Sequence, residues 1–324
     1  MNAPRRVTTT DVAREAGVSR ATVSYALNGD PDRVLTEATR QRVLDAAARI
    51  GYQPSAAARL LRGGRRRNIL MLSPDAEGFD PALGRLIEAI ARELGARGYS
   101  LLWQLGVQGA PRPVGELTPA AVLTAPTADD PAFASLAAGF DVPVLSALPG
   151  RDDYLGAPTT AQVEHLATSG RPLVYCAPEA PGLQAMSELR WRSALRACEQ
   201  RGLAAPDRAV LPDDAGAATA VLHDLLARHG GRIAVCAYND EVALGVLAAA
   251  RRLGARVPED IAVVGADDSR LAALAFPAVS SAVVPLGDFA ARFSDMVVAV
   301  ATGAAADEVR LPRHAVVVVR DSAP

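Results

Sequence analysis

Residues 8–28 read TTTDVAREAGVSRATVSYALN. The stretch implies two short helices with Gly17 between them. Val12, Ala13, Ala16, Val18, Val23 and Leu27 fall at spacings that give the pair a small shared core. Ser19 is placed to cap the second helix. Arg20, Ala21, Ser24 and Tyr25 then share its opposite face, because positions i, i+1, i+4 and i+5 lie on one side of a helix. A two-helix unit with a Gly-bearing turn and a polar outer face on its second helix has the form of a DNA-binding helix-turn-helix. A small amphipathic hairpin with no partner has the same local pattern, so the rest of the chain must decide between them.

Working outward, Thr36 is expected to cap a third helix over 37–50, with Val43, Leu44, Ala47 and Ile50 facing inward. Gly51 ends it and Pro54 follows. SAAARLL, residues 55–61, has high helix propensity but only two turns, too few to stand alone in water. GGRRR follows as a basic linker.

Charge is unevenly spread. Residues 1–67 hold thirteen Arg against six Asp and Glu, about +7, while the whole 324-residue chain is −2, which leaves about −9 for the remainder. A basic head on an acidic body fits a chain whose head alone meets a polyanion. Lys is absent, so every fixed side-chain cation is a guanidinium, suited to bidentate phosphate or guanine contacts. Cys176, Cys198 and Cys236 are widely spaced, and the four His are scattered, which supports neither a disulfide framework nor a metal site. No signal segment or 18-residue apolar run occurs, so a soluble, cytoplasmic protein with no membrane partner is expected.

From Asn68 onward, apolar strands alternate with helices. NILMLSP, YSLLWQL, AAVLTAP, VPVLSAL, PLVYCAP, RAVLP, IAVCAYN, IAVVGAD and AVVVVR read as strands. Helices are expected over 81–97, near 133–139, and over 161–169, 183–201, 217–228, 241–253 and 289–302. Strands apolar throughout, alternating with helices, imply parallel sheets covered on both faces. This length makes two doubly wound units, with ligand sites at the carboxyl ends of strands in the crevice between them.

TDVAREAGVSRATVS, LNG, TRQRVLDAAARIGYQPSAAARLLR, GYSLL, VEHLATSG, YNDEVALGVLAAARRLGARVPEDIAVVGADD and the closing LP…VVVVRDS together resemble the lactose-repressor (LacI) family of transcription regulators over essentially the whole chain. The resemblance implies an α/β chain with a three-helix DNA-binding head over 1–54 and a hinge helix with linker over 55–67. The body over 68–324 would resemble periplasmic sugar-binding proteins. Its N-subdomain would span about 68–169 and 284–313, and its C-subdomain about 170–283 and 314–324. Implied partners are a double-stranded operator, a second copy (or a dimer of dimers), and a small effector, a sugar or other metabolite. No cofactor, metal or catalytic residue is implied.

The same resemblance assigns base reading to Arg20, Ala21 and Tyr25. Family members often carry Arg where Tyr25 stands, and Tyr cannot grip guanine bidentately; packing against the third helix is the other role open to it. Thr10, Ser19, Thr22, Ser24 and Asn28 match phosphate anchors, with capping an alternative for Thr10 and Ser19. Ala58 and Leu61 match positions that enter the minor groove, Leu61 as the apolar wedge. Arg59 and Arg62 match backbone contacts.

In the body, Ser187 stands where family members usually carry an effector-holding Arg ahead of ELRWRSAL. Tyr154 replaces a frequent Asp, and Ala82 with Leu83 replaces an aromatic or polar pair. Asn239 and Asp267 match effector contacts just beyond their strands, while Asp240 is read as a helix cap; capping is open to the other two as well. These replacements predict a cleft less charged and less aromatic than usual, one that holds plain hexoses weakly, or no ligand. The crossover GVQGAPRPVGELTPA, residues 106–120, is too rich in Gly and Pro for a normal helix. A solute-binding protein is disfavoured by the basic head. An enzyme is disfavoured because no G-x-S-x-G, P-loop, G-x-G-x-x-G or H-E-x-x-H motif occurs.

Overall fold

A computed structural model describes residues 7–28, 35–50, 52, 66–73, 81–104, 118–124, 141–146 and 151–324. The chain divides into two compact units, Met1–Arg66 and Arg67–Pro324.

The first unit holds helices α1 (Thr9–Ala16), α2 (Arg20–Asn28) and α3 (Glu37–Arg49). Asp11 accepts from both the backbone N–H and the hydroxyl of Thr8, which fixes the start of α1. Gly17 ends it in the left-handed region at φ +61, where a Cβ would be strained. Ser19 accepts from Thr22 N–H at 3.0 Å, the expected cap of α2. Thr36 accepts from Thr39 N–H and caps α3. Val12, Val23 and Val43 are fully buried at the shared core, with Ala13, Ala16, Ala26, Ala46 and Ala47 around them. Leu44 is a correction: it is 40% exposed, because the inward stripe of α3 runs through 43, 46, 47 and 50, one step off its position.

The second unit contains two sheets. The first runs β2-β1-β3-β4, from β1 (Asn68–Leu72), β2 (Ser100–Gln104), β3 (Ala121–Thr124) and β4 (Val144–Ser146), all parallel. Its core is completed by α4 (Pro81–Ala96), which presents Leu86, Ile90 and Leu94. The second sheet runs β10-β9-β8-β7-β5-β6. Its strands are β5 (Leu173–Pro178), β6 (Asp207–Leu211), β7 (Ile233–Ala237), β8 (Ile261–Ala266), β9 (Ser280–Val283) and β10 (Val316–Val318). β7 and β8 are buried along their whole length, as strands covered on both faces must be.

Three expectations need correction. The helix expected from Ala161 begins at Arg151: α5 (Arg151–Ala167) carries Pro158 inside it. Its early residues Tyr154, Leu155 and Ala157 join the core of the first sheet, and Ala161, Val163 and Leu166 join that of the second. Strand β9 and the short helix α9 (Arg270–Leu274) were not anticipated. The closing strand β10 pairs antiparallel with β9, so the second sheet is mixed rather than wholly parallel. The helix expected near 133–139, the hinge segment 55–61 and most of the 106–120 crossover lie outside the described residues.

The remaining helices are α6 (Gln184–Gln200), α7 (Ala215–Arg228), α8 (Asp240–Leu253) and α10 (Phe289–Ala301). Arg97 ties α10 to α4, donating to Asp295 at 2.6 Å and to Glu93 at 2.6 Å.

Candidate functional site

On α2, Arg20 and Ala21 are exposed, and Thr22, Ser24 and Tyr25 are half-buried, while Val23 and Ala26 point into the head core. The residues expected to read bases therefore share the outer face. The Ser19 and Thr22 hydroxyls lie 2.8 Å apart, so the cap and the neighbouring hydroxyl form one local pair. Thr10 is exposed in the first turn of α1, between Thr8 and Asp11, and Thr8 rather than Thr10 occupies the cap position. Thr9 and Tyr52 hydroxyls meet at 3.0 Å, which fastens the end of the head to its first helix. The side chain of Asn28, and all of Ala58, Arg59, Leu61 and Arg62, lie outside the described residues.

In the body, a small solvent-open cleft is lined by Arg85, Tyr154, Leu155, Pro158, Arg190, Asp267, Val284 and Leu286. Five elements converge on it. Arg85 comes from α4, and Tyr154, Leu155 and Pro158 come from α5. Arg190 comes from α6, Asp267 follows β8, and Val284 and Leu286 follow β9.

Arg190 is 1% exposed, the largest fully buried side chain described. It donates from Nε to the Leu155 carbonyl at 3.3 Å and from a terminal nitrogen to the Tyr238 carbonyl. Its guanidinium lies 4.4 Å over the Tyr238 ring, a cation–π contact. A further nitrogen is 4.0 Å from Asp267 Oδ1. Arg85 approaches the same oxygen at 3.5 Å. A buried carboxylate thus sits between two guanidinium groups, as a buried charge must be paired.

Asp267 and Asp268 adopt φ +95 and +49, two consecutive non-glycine residues in the left-handed region. Such a turn persists only where its surroundings over-determine it. Asp240 does much of this: Oδ2 accepts from Ser269 N–H at 2.6 Å and Oδ1 accepts from the Ser281 hydroxyl at 2.6 Å. Ser281 in turn accepts from Asp268 N–H at 2.9 Å. Arg320 holds the Asp268 carboxylate at 2.6 Å. Burial pushes the Asp240 carboxyl above the usual carboxylate range. The carboxylate fits only because residue 265 is Gly: a Cβ there would stand 2.2 Å from Asp240 Oδ1 and 3.1 Å from its Cα.

The sequence expectations are redistributed accordingly. Asp267 lines the cleft. Asn239 accepts from Val242 N–H at 3.0 Å and caps α8, while Asp240, expected to cap, braces the Asp267 turn instead. Ser187 lies outside the cleft, with its hydroxyl 3.2 Å from that of Tyr175. Leu83 packs into the first core, and the side chain of Ala82 is outside the described residues. Position 187 carries Ser, as read, but a guanidinium reaches the cleft from inside ELRWRSAL, at Arg190. Among the described residues the lining holds three formally charged side chains, more charge than the replacements predict. Arg85 and Arg190 went unread in the sequence, because Arg on a helix is ordinarily solvent-facing. The signal available was that Arg190 shares a helix face with buried Ser187, Ser193, Ala194 and Ala197.

Comparison with known proteins gives a consistent result. The profile described as "Bacterial regulatory proteins, lacI family" matches residues 8–55, and the one described as "Periplasmic binding protein-like domain" matches 163–323. The HTH-type transcriptional regulator MalR of Streptomyces coelicolor is 30% identical over 309 residues, 85% of each chain. Catabolite control protein A of Priestia megaterium is 29% identical over 307 residues, 88% of this chain and 90% of its own. Among solved structures, the lac repressor dimer bound to operator and the anti-inducer ONPF aligns with a TM-score of 0.77 and 23% identity, covering 98% of this chain and 99% of its own. The CelR–cellobiose complex aligns at 0.63 and 26% identity, covering 98% of this chain and 100% of its own.

Proposed function

Because the chain belongs to the lacI family of bacterial regulatory proteins, and is therefore a DNA-binding transcriptional regulator and not an enzyme, we propose that it acts as a dimeric repressor whose cleft takes a small-molecule effector. The observation that carries the reading is the division of α2. One face is locked into the head core by Val23 and Ala26, and the other offers Arg20 and Ala21 to solvent beside Ser24 and Tyr25. Arg20, Ala21 and Tyr25 read base edges in the major groove. Thr10, Ser19, Thr22, Ser24 and Asn28 contact phosphates. Residues 55–62 act as the hinge, with Ala58 and Leu61 in the minor groove and Arg59 and Arg62 on the backbone.

Dimer and operator binding are supported by the lac repressor dimer seen on its operator. An effector is supported by the cellobiose-bound CelR structure, and by a lactose-bound LacI-family regulator from Arthrobacter that covers 80% of this chain at a TM-score of 0.58. Leu271 and Leu274 on α9 and Phe276 just beyond it are 59%, 75% and 97% exposed, apolar surface suited to a second copy of this chain. The head spans 1–54, the linker 55–67 and the body 68–324. No helix among the described residues is long and apolar enough to cross a membrane. A regulator that binds an operator acts where the DNA is, in the cytoplasm.

The test is selection of bound genomic fragments by the full chain, compared with a body beginning at Arg67. A pseudo-palindromic site bound by the full chain alone, with affinity falling steeply as salt rises, is the expected result. Binding by the body alone, or binding that salt does not weaken, would overturn it.

A further inference from the structure

We propose that Arg85 makes the cleft selective for a hydroxylated anion, a small polyol bearing one carboxylate or phosphate group. The inference rests on the reading of this cleft as an effector site and adds the ligand's chemical class. Among the described residues, three formally charged side chains line the cleft, Arg85, Arg190 and Asp267, two cations against one acid. The other described lining residues are Tyr154, Leu155, Pro158, Val284 and Leu286, mostly apolar, and low-dielectric walls of this kind focus the field of those charges. Arg190 and Asp267 neutralise one another at the base, where both are about 97% or more buried. The surplus is Arg85, whose side chain is 41% exposed and stands at the mouth.

The geometry leaves Arg85 able to exchange partners. Its 3.5 Å approach to Asp267 Oδ1 is longer than the 2.7–2.9 Å of a tight charge-assisted hydrogen bond. A ligand carboxylate or phosphate can take the planar guanidinium fork at shorter range, at little loss to Asp267, which keeps Arg190 beside it. Asp267, an ionised acceptor, is then placed to receive a ligand O–H. Leu155, Pro158, Val284 and Leu286 offer the carbon skeleton an apolar wall. A neutral sugar could reach Asp267 but would give the Arg85 guanidinium no anion to exchange for it.

The experiment uses the full chain, titrated calorimetrically with a panel of sugar acids, the matching sugar phosphates and their neutral parent sugars. Inorganic phosphate serves as a control for adventitious anion binding. At least one hydroxylated anion is expected to bind tenfold or more tightly than its neutral parent and than inorganic phosphate. Sugar acids against sugar phosphates distinguish the carboxylate from the phosphate source. Arg85→Gln should remove that preference, bringing the anion's affinity to within about twofold of its neutral parent's in the same variant, and Arg85→Lys should restore part of it. Neutral sugars binding as tightly as their anions, a preference that survives in Arg85→Gln, or no binding across the panel would each overturn the proposal. Operator binding by the same preparation, followed by fluorescence anisotropy, separates the two readings. Intact operator binding with no anion response sinks the ligand class and leaves the regulator, whereas lost operator binding sinks the regulator reading itself.

Discussion

Arg190 and Asp267 face each other at 4.0 Å with side chains only 1% and 3% exposed, one on α6 and the other in a strained turn after β8. Each is the other's means of being buried. Removing one member of such a pair strands the other charge away from water, which costs about 3–5 kcal/mol. Arg190→Met should therefore lower stability by about 3 kcal/mol in urea unfolding of the body, despite similar volume. Asp267→Asn should cost less than Asp267→Val, because Asn tolerates positive φ and a β-branched residue does not. Equal losses for the two position-267 variants would contradict the strain assigned to that turn.

Asp240 sets a pH dependence of definite sign. Burial raises its folded pKa above the ordinary 3.8, so the contribution is fully present below that value and is lost as pH rises through the raised one. Asp240→Asn lacks this titration. Relative to wild type, the variant should gain stability as pH rises from the ordinary 3.8 toward neutrality. Urea melts across that range check it, and a difference independent of pH would show that the carboxyl is not perturbed.

Specificity should follow the outer face of α2. Tyr25→Arg should shift the preferred base at one position per half-site toward guanine, by about 1–3 kcal/mol. Arg20→Ala should relax preference at a neighbouring position. Selection from a random operator library reads both, and unchanged preferences would place recognition elsewhere.

The Leu271, Leu274 and Phe276 patch gives an assembly prediction. Phe276→Asp should shift the chain toward monomer in sedimentation velocity, because a carboxylate facing its own copy across a two-fold axis is repelled as well as desolvated. Phe276 is 97% exposed in the single chain, so the substitution should leave the fold of each chain intact, with an unchanged far-ultraviolet circular dichroism spectrum. A variant that remains dimeric would move the interface off this patch.

The head was legible because caps, Gly17 and apolar spacing are all local signals. The strands of the body were legible because buried parallel strands carry unbroken apolar runs. What was not legible depends on partners distant in the chain. Strand β9 begins Ser280-Ser281, polar residues that read as loop until Ser322, Arg320 and Asp240 supply their hydrogen bonds. Pro158 reads as a helix breaker, yet the turns before it bury Tyr154 and Leu155, and that burial sustains α5 through it. Asn239 and Asp240 exchanged roles because both can cap, and only the turn at 267–269 shows which one is occupied elsewhere. Arg190 could be read as buried only once Asp267 and Tyr238 were known to face it.

The fit between Asp240 and Gly265 has a consequence for how this sequence can drift. Position 265 has no room for a methyl group while a carboxylate occupies 240, because the clash involves the acid itself and the Cα behind it. If 240 becomes Ala or Gly, the carboxylate is gone, but Ser269 N–H and the Ser281 hydroxyl lose their acceptor. Neither site can change first without loss, so the two are locked in evolutionary order. A saturation library at both positions should return Gly265 with Asp240, and should admit Ala at 265 only where 240 and 281 have changed together.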